Sequence, residues 1–180
     1  MNRRTATRTV LVTLGLLTLV ACVVNLSFVM DKPGIVLKSN PGTTAVSQQN
    51  ILVNLADYKE VTDHKDNIKS FDLDYVDITL TAKDASNTAN TVTGTVSLRK
   101  TLTDPPANDI AVGALNAFPL TVGQTVRISG TPTLDAFLLQ QLQSAGQFYV
   151  IVNGAIDHGV ANVTVDFNLH VSIGYDAGIF

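Results

Sequence analysis

The chain has 180 residues, 12 Lys and Arg against 15 Asp and Glu, one cysteine and no tryptophan. Its formal charge of −3 speaks against nucleic acid as a partner, and a lone cysteine leaves no intrachain disulfide and no multi-thiolate metal site to hold a fold together. A composition low in charge and rich in Val, Thr, Asn and Gly suits strands and turns, so a packed β core has to supply the stability.

In chain order the first feature is a basic start, Arg3, Arg4 and Arg8, followed by an apolar run over 10–20 interrupted only by Thr13, Gly15 and Thr18, and then Leu19-Val20-Ala21-Cys22. That order is the pattern of an export signal. With the only cysteine standing directly after small Ala21, the segment resembles a bacterial lipoprotein signal peptide with its lipobox. The resemblance implies cleavage before Cys22, acylation of the Cys22 sulfur, and a cell-envelope protein attached to membrane lipid through that residue. Val23 is not the aspartate associated with inner-membrane retention, so outer-membrane sorting is implied where the cell has two membranes. An uncleaved anchor is the alternative, because apolar residues continue to Met30 and approach the roughly 20 that a spanning helix needs. Removal of residues 1–21 leaves nine basic and fifteen acidic residues, a charge of −6, on a single domain at 22–180.

Val24, Leu26, Phe28 and Met30 then share one parity, with Asn25 and Ser27 between them, which predicts a strand closed by a turn at Asp31-Lys32-Pro33-Gly34. Residues 39–50, rich in Ser, Thr, Gln and Gly, predict a loop, and 56–66 a surface helix with a thin apolar stripe of Tyr58 and Val61. Phe71, Leu73 and Tyr75 share one parity and Val76, Ile78, Leu80 and Ala82 the other, so a bulge near Tyr75 and Val76 is needed to keep one core face. A polar connection leads to Val92, Val96 and Leu98, which predicts a hairpin with the preceding strand. Short strands are predicted at 118–122 and 126–129 around Gly123-Gln124.

Thr131 predicts the N-cap of a helix starting at Pro132, with Leu134, Phe137, Leu138, Leu142 and Ala145 as its apolar stripe and Gly146 as its end. An apolar run at 148–152 precedes the longest periodic segment, in which Val163, Val165, Phe167, Leu169, Val171, Ile173 and Tyr175 alternate with polar residues. These two segments predict an antiparallel hairpin whose second strand is half buried. The sum is a mainly β chain: an antiparallel β-sandwich with one or two accessory helices, with an open β-barrel as the alternative.

Chemistry-bearing residues are few. Asp57, Asp63, Asp66, Asp72, Asp74 and Asp77 make 57–77 the most acidic stretch, and Asp63, Asp66, Asp72 and Asp74 are the candidates for calcium. The stretch lacks the fixed acidic spacing and central glycine of a calcium loop, and strand parity explains Asp72 and Asp74 as a solvated sheet face, so no metal is expected. His64, His158 and His170 fall in a helix, a connection and a polar strand parity, with no i, i+4 metal pair. No serine stands in a Gly-x-Ser-x-Gly elbow and no Gly-rich turn leads into Lys-Ser or Lys-Thr, so neither a catalytic residue nor a cofactor is expected. Tyr58 and Tyr149 are the tyrosines expected to be at least partly exposed, and the remaining aromatics mostly take core parity. The expected function is a noncatalytic binding or structural module near the membrane whose envelope partner the sequence does not name. A carrier of an apolar small molecule or lipid is the alternative, and an exported hydrolase ranks last.

Overall fold

The computed structural model describes residues 23–178. Its strands are β1 (Val23–Lys38), β2 (Ala45–Asn54), β3 (Ile68–Lys83), β4 (Thr91–Arg99), β5 (Ile110–Pro119), β6 (Thr125–Ser129), β7 (Gln147–Ile156) and β8 (Asn162–Asp176); its helices are α1 (Lys59–His64) and α2 (Pro132–Gln143). β1 pairs with β8, β2 with β7, β3 with β6 and β4 with β5, all antiparallel. The chain is thus one nested hairpin, its two halves lying strand against strand. Further pairing of β3 with β8 and of β4 with β7 rolls the ribbon into two four-stranded sheets, β1-β8-β3-β6 and β2-β7-β4-β5. Eight strands wound this way form a jelly roll, a β-sandwich rather than an open barrel.

The sheets enclose one buried apolar cluster in which Phe71, Phe148, Phe167 and Met30 are the largest side chains. The odd-numbered residues Val163 to Ile173 of β8 are all buried, as their alternation predicts, and Tyr175 is partly so. β8 lies between β1 and β3, where both neighbours satisfy its backbone and one face meets the core.

Several local expectations fail for physical reasons. The two predicted hairpins are crossovers: β3 and β4 lie in different sheets, and so do β7 and β8. The connections at 84–90 and 157–161 are long enough to carry the chain across the sandwich, and core packing decides which sheet receives the next strand. The turn expected at Asp31-Lys32-Pro33-Gly34 is a bulge inside β1, where register shifts between Lys32 and Ile35 and the Gly34 N–H donates to Asp166 Oδ1 at 2.8 Å. The loop expected at 39–50 shrinks, because β2 starts at Ala45. A second register shift between Val46 and Gln49 puts buried Val46 out of phase with buried Ile51 and Val53, which hides the strand's period. Of the strand expected at 118–122 only Phe118 and Pro119 are strand, as the end of a β5 that runs back to Ile110, and 120–122 lie in the turn before β6.

The helix expected at 56–66 is broken into a 3-10 turn at Leu55–Asp57, α1, and a second 3-10 turn at Lys65–Asn67. Extended backbone at Tyr58 interrupts it, and the Asn54 side chain caps the first turn by accepting from Ala56 N–H. α2 begins at Pro132 as expected. The Thr131 hydroxyl makes no capping bond; its carbonyl accepts from Leu134 and Asp135 instead. Gly146, at φ +68°, closes the helix by donating to the Gln141 carbonyl at 2.8 Å, a left-handed turn that favours glycine.

Candidate functional site

The outer face of β1-β8-β3-β6 carries a connected group of polar and aromatic side chains, and a bulge on β3 creates it. Register shifts between Leu73 and Tyr75, one residue earlier than the sequence predicts. The Leu73 N–H donates to Asp135 Oδ1 of α2 at 2.9 Å, and the Gly130 N–H donates to the Asp74 carbonyl at 2.9 Å. The β6–α2 junction therefore holds the bulge, which turns Tyr75 out of the core face the sequence assigns it and sets it opposite His170.

Tyr75 then stacks on His170, with ring centroids 4.1 Å apart, and the Arg127 guanidinium lies 3.7 Å from the Tyr75 ring centre. Asp77, the cross-strand neighbour of Arg127, accepts both Nε at 2.8 Å and Nη2 at 2.7 Å, and its Oδ2 is 3.7 Å from His170 Nε2. Hydrogen bonds from Arg127, joined by its positive charge, hold the Asp77 carboxyl below its usual range despite partial burial. Beside it, Ser172 Oγ donates to Asp74 Oδ2 at 2.8 Å and lies 3.0 Å from Ser27 Oγ. A cleft of about 210 Å³ lies among Ser27, Phe28, Asp74, Tyr75 and His170. With a cation and an imidazole occupying Tyr75 and Asp77 engaged by Arg127, this group is a self-satisfied surface.

The second region is the end of the sandwich where β1 starts. Val23 pairs with Asp176, and Tyr175 also pairs with Ile68 at the start of β3. His64 at the end of α1 stacks on Tyr175 at 3.7 Å. Asp57, Glu60, Asp63, Asp66 and Asp176 give this end more carboxylates than the ammonium groups of Lys59, Lys65 and Lys69 offset. Val23 remains 54% exposed. A cleft of about 230 Å³ opens between Val61, Thr62 and Lys65 on one side and Leu142 and Gly146 on the other. Tyr58 packs near Phe28, with Lys32 5.7 Å from its ring centre. Burial, with Asp57 and Asp31 nearby, pushes its phenol up to about 12.

The four calcium candidates are placed apart in role. Asp63 pairs with Lys59 along α1, Asp66 is exposed in the following turn, Asp72 accepts from Ser70 at 3.2 Å and Asp74 from Ser172. Among the described residues no three His, Cys, Asp or Glu side chains lie together as a metal site would require. His158 Nδ1 is 3.0 Å from Asp157 in the β7–β8 connection. Cys22, the lipidation candidate, and the signal segment at 1–21 lie outside the described residues. Among the described residues no helix is long and apolar enough to cross a membrane.

Sequence reasoning missed Tyr75, Arg127 and the Arg99–Asp109 pair as partners. A single arginine on an exposed parity of β6 was the available signal, but its partner depends on which strand lies beside β6.

No family model matches the chain, and no curated protein matches it. Among solved structures the chain is similar to the BFDV capsid protein in a decameric assembly, at 13% identity over 84% of this chain and 99% of that one, with a TM-score of 0.43. It is also similar to the same capsid protein in a 60-mer, at 10% identity over 89% and 97% with a TM-score of 0.44. A third similarity is to Desmodium yellow mottle tymovirus, at 6% identity over 99% of both chains with a TM-score of 0.38. The architecture assigned above rests on the strand pairings themselves.

Proposed function

We propose that the protein is a lipid-anchored envelope module, a noncatalytic jelly roll held against a membrane by acylated Cys22. The observation that carries this reading is the position of β1. Val23, the residue after the lipobox cysteine, is already paired with Asp176, so a lipid on Cys22 sits at the edge of the sandwich with no linker between them. The acidic end around α1 then faces the lipid surface. Its excess of carboxylates gives no electrostatic attraction to anionic headgroups, so the acyl chains and exposed Val23 must hold the contact.

A noncatalytic role is supported by the pairing of the polar residues with one another at the outer face, where Arg127, Asp77 and Tyr75 satisfy each other. A module is favoured over a carrier of apolar ligands because Phe71, Phe148, Phe167 and Met30 occupy the space between the sheets that a carried lipid would need.

Intact mass of the membrane-extracted protein tests the anchor. A mass lacking residues 1–21 and carrying acyl chains supports it, and Cys22→Ala should then release no acylated mature form. A product that retains residues 1–21 in the membrane, unchanged by Cys22→Ala, overturns it.

A further inference from the structure

Gln141 lies on α2 among apolar neighbours and has no solvent exposure, yet neither its Nε2 nor its Oε1 has a hydrogen-bond partner. A primary carboxamide offers two donors and an acceptor, and burying all of them unpaired opposes folding. Buried polar side chains are nearly always paired, so an unpaired one calls for a specific reason. A leucine or methionine would fill this helical position without that cost.

The reason lies next to it. Gln141 forms part of the wall of a cleft of about 290 Å³ between α2 and the β4–β5 loop, together with Phe137 and Gln140 from the helix and Lys100, Asp104 and Asn108 from the loop. The cleft shares no lining residue with the cleft at the outer-face group or with the one beside α1. Its loop is clamped at the base, where Arg99 donates to Asp109 through Nε at 2.6 Å and Nη2 at 2.7 Å, and braced within, where the Thr101 N–H donates to Asp104.

We propose that this cleft binds an uncharged polyhydroxylated ligand about the size of one sugar ring, with Gln141 as the buried polar group that recognises it. One ammonium and one carboxylate in the wall cancel, which favours a neutral ligand. Planar amides at Asn108, Gln140 and Gln141 suit adjacent hydroxyls, each of which donates and accepts. Half-buried Phe137, fixed edge-on against Phe148 at 6.1 Å, supplies the apolar contact. The cleft volume lies at the small end of ligand sites. Since no solvent reaches the Gln141 amide in the free chain, binding requires the part of the loop between Asp104 and Asn108 to move off α2 when the ligand enters. The proposal is independent of the lipid anchor.

The test uses the full chain with methyl glucoside, methyl galactoside, methyl mannoside and N-acetylglucosamine as neutral probes, and glucuronic acid and glucosamine as charged controls. Nuclear magnetic resonance follows the side-chain amide of Gln141, and melting follows stability. At least one neutral probe should shift that amide saturably and raise the Tm, the charged controls should not, and Gln141→Met should weaken binding at least tenfold while raising the Tm of the free protein. Asn108→Ala, on the exposed loop, should weaken binding without altering the free Tm. Failure of every neutral probe to move the Gln141 amide, tighter binding of a charged control, or a fall in the free Tm of Gln141→Met would each overturn the proposal, the last because it would mean that the amide is satisfied within the fold.

Discussion

Arg99 and Asp109 face each other across the ends of β4 and β5 as a two-pronged ion pair, with side chains only 6% and 12% exposed. Asp109 also accepts from Ser97 Oγ at 3.3 Å. Arg127 and Asp77 make the same fork on the outer sheet face, but Arg127 is 58% exposed there. Two pairs of equal geometry thus differ in what water can replace. Removing one partner of the enclosed pair strands a charge away from solvent, whereas water rescues the exposed one. Asp109→Ala, which leaves enclosed Arg99 alone, should therefore lower the Tm by several degrees more than Asp77→Ala, which leaves exposed Arg127 alone. Thermal melts of the two variants at one pH and salt check this, and equal losses would contradict it.

Phe167 is fully buried at the centre of β8, and Thr164 on the same strand lies on the outer face. Phe167→Ala should cost about 3–5 kcal/mol because it empties an aromatic site in a close-packed core, and Thr164→Ala no more than about 0.5 kcal/mol. Denaturant unfolding of both variants measures the contrast.

The assignment of β8 needed only its alternation, since every odd residue from Val163 to Ile173 meets the core. Elsewhere bulges broke the link between sequence parity and face. Val46 and Ile51 are both buried with opposite parity, which made β2 read as a loop, and the shift at Asp74 put Tyr75 on the wrong face. Sheet membership was not legible either, because nothing local in the connection at 157–161 says whether β8 pairs with β7 or crosses to β1 and β3. The outer-face group shares this limit: Asp77 and Arg127 are 50 residues apart and meet only because β6 closes on β3. Gln141 was hidden differently, by falling within an apolar helical stripe whose burial argues for a hydrocarbon side chain.

Gly130 marks where close approach forbids a side chain. A Cβ there would stand 1.5 Å from the Leu73 carbonyl oxygen, on the junction that holds the β3 bulge. Gly130→Ala should separate β6 from β3 and lower the Tm by several degrees, and it should weaken the Tyr75–His170–Arg127 stack. Melting combined with His170 imidazole chemical shifts tests both effects, and an unchanged His170 signal would show that the junction does not control the bulge.

Asp77 sets an acid limit. Its carboxyl is held below the ordinary value of 3.8, first by hydrogen bonds from Arg127. A depressed folded value means that the unfolded chain takes up the proton first as pH falls, so the stabilisation is complete above that ordinary value and disappears as pH drops through the lower folded value. Asp77→Asn should melt below the wild type at pH 7, and the gap should narrow as pH falls below the ordinary carboxyl range. A gap that persists unchanged at pH 2 would place its origin in packing rather than in charge.

Tyr58 gives the opposite limit. Burial first, then the negative charges of Asp57 and Asp31, push its phenol up to about 12 from the ordinary 10.0. Because the neutral form is the one the fold favours, its contribution is fully present below pH 10 and is lost as pH rises through the folded value. Ultraviolet titration of the phenolate should show a late step near 12 that belongs to Tyr58. Tyr58→Phe should delete that late step. The Tm at pH 8 should change little, because the ring, which supplies the packing against Phe28, remains in place. A late step that survives in Tyr58→Phe would assign it to another tyrosine, and with it the desolvated pocket between β1 and α1.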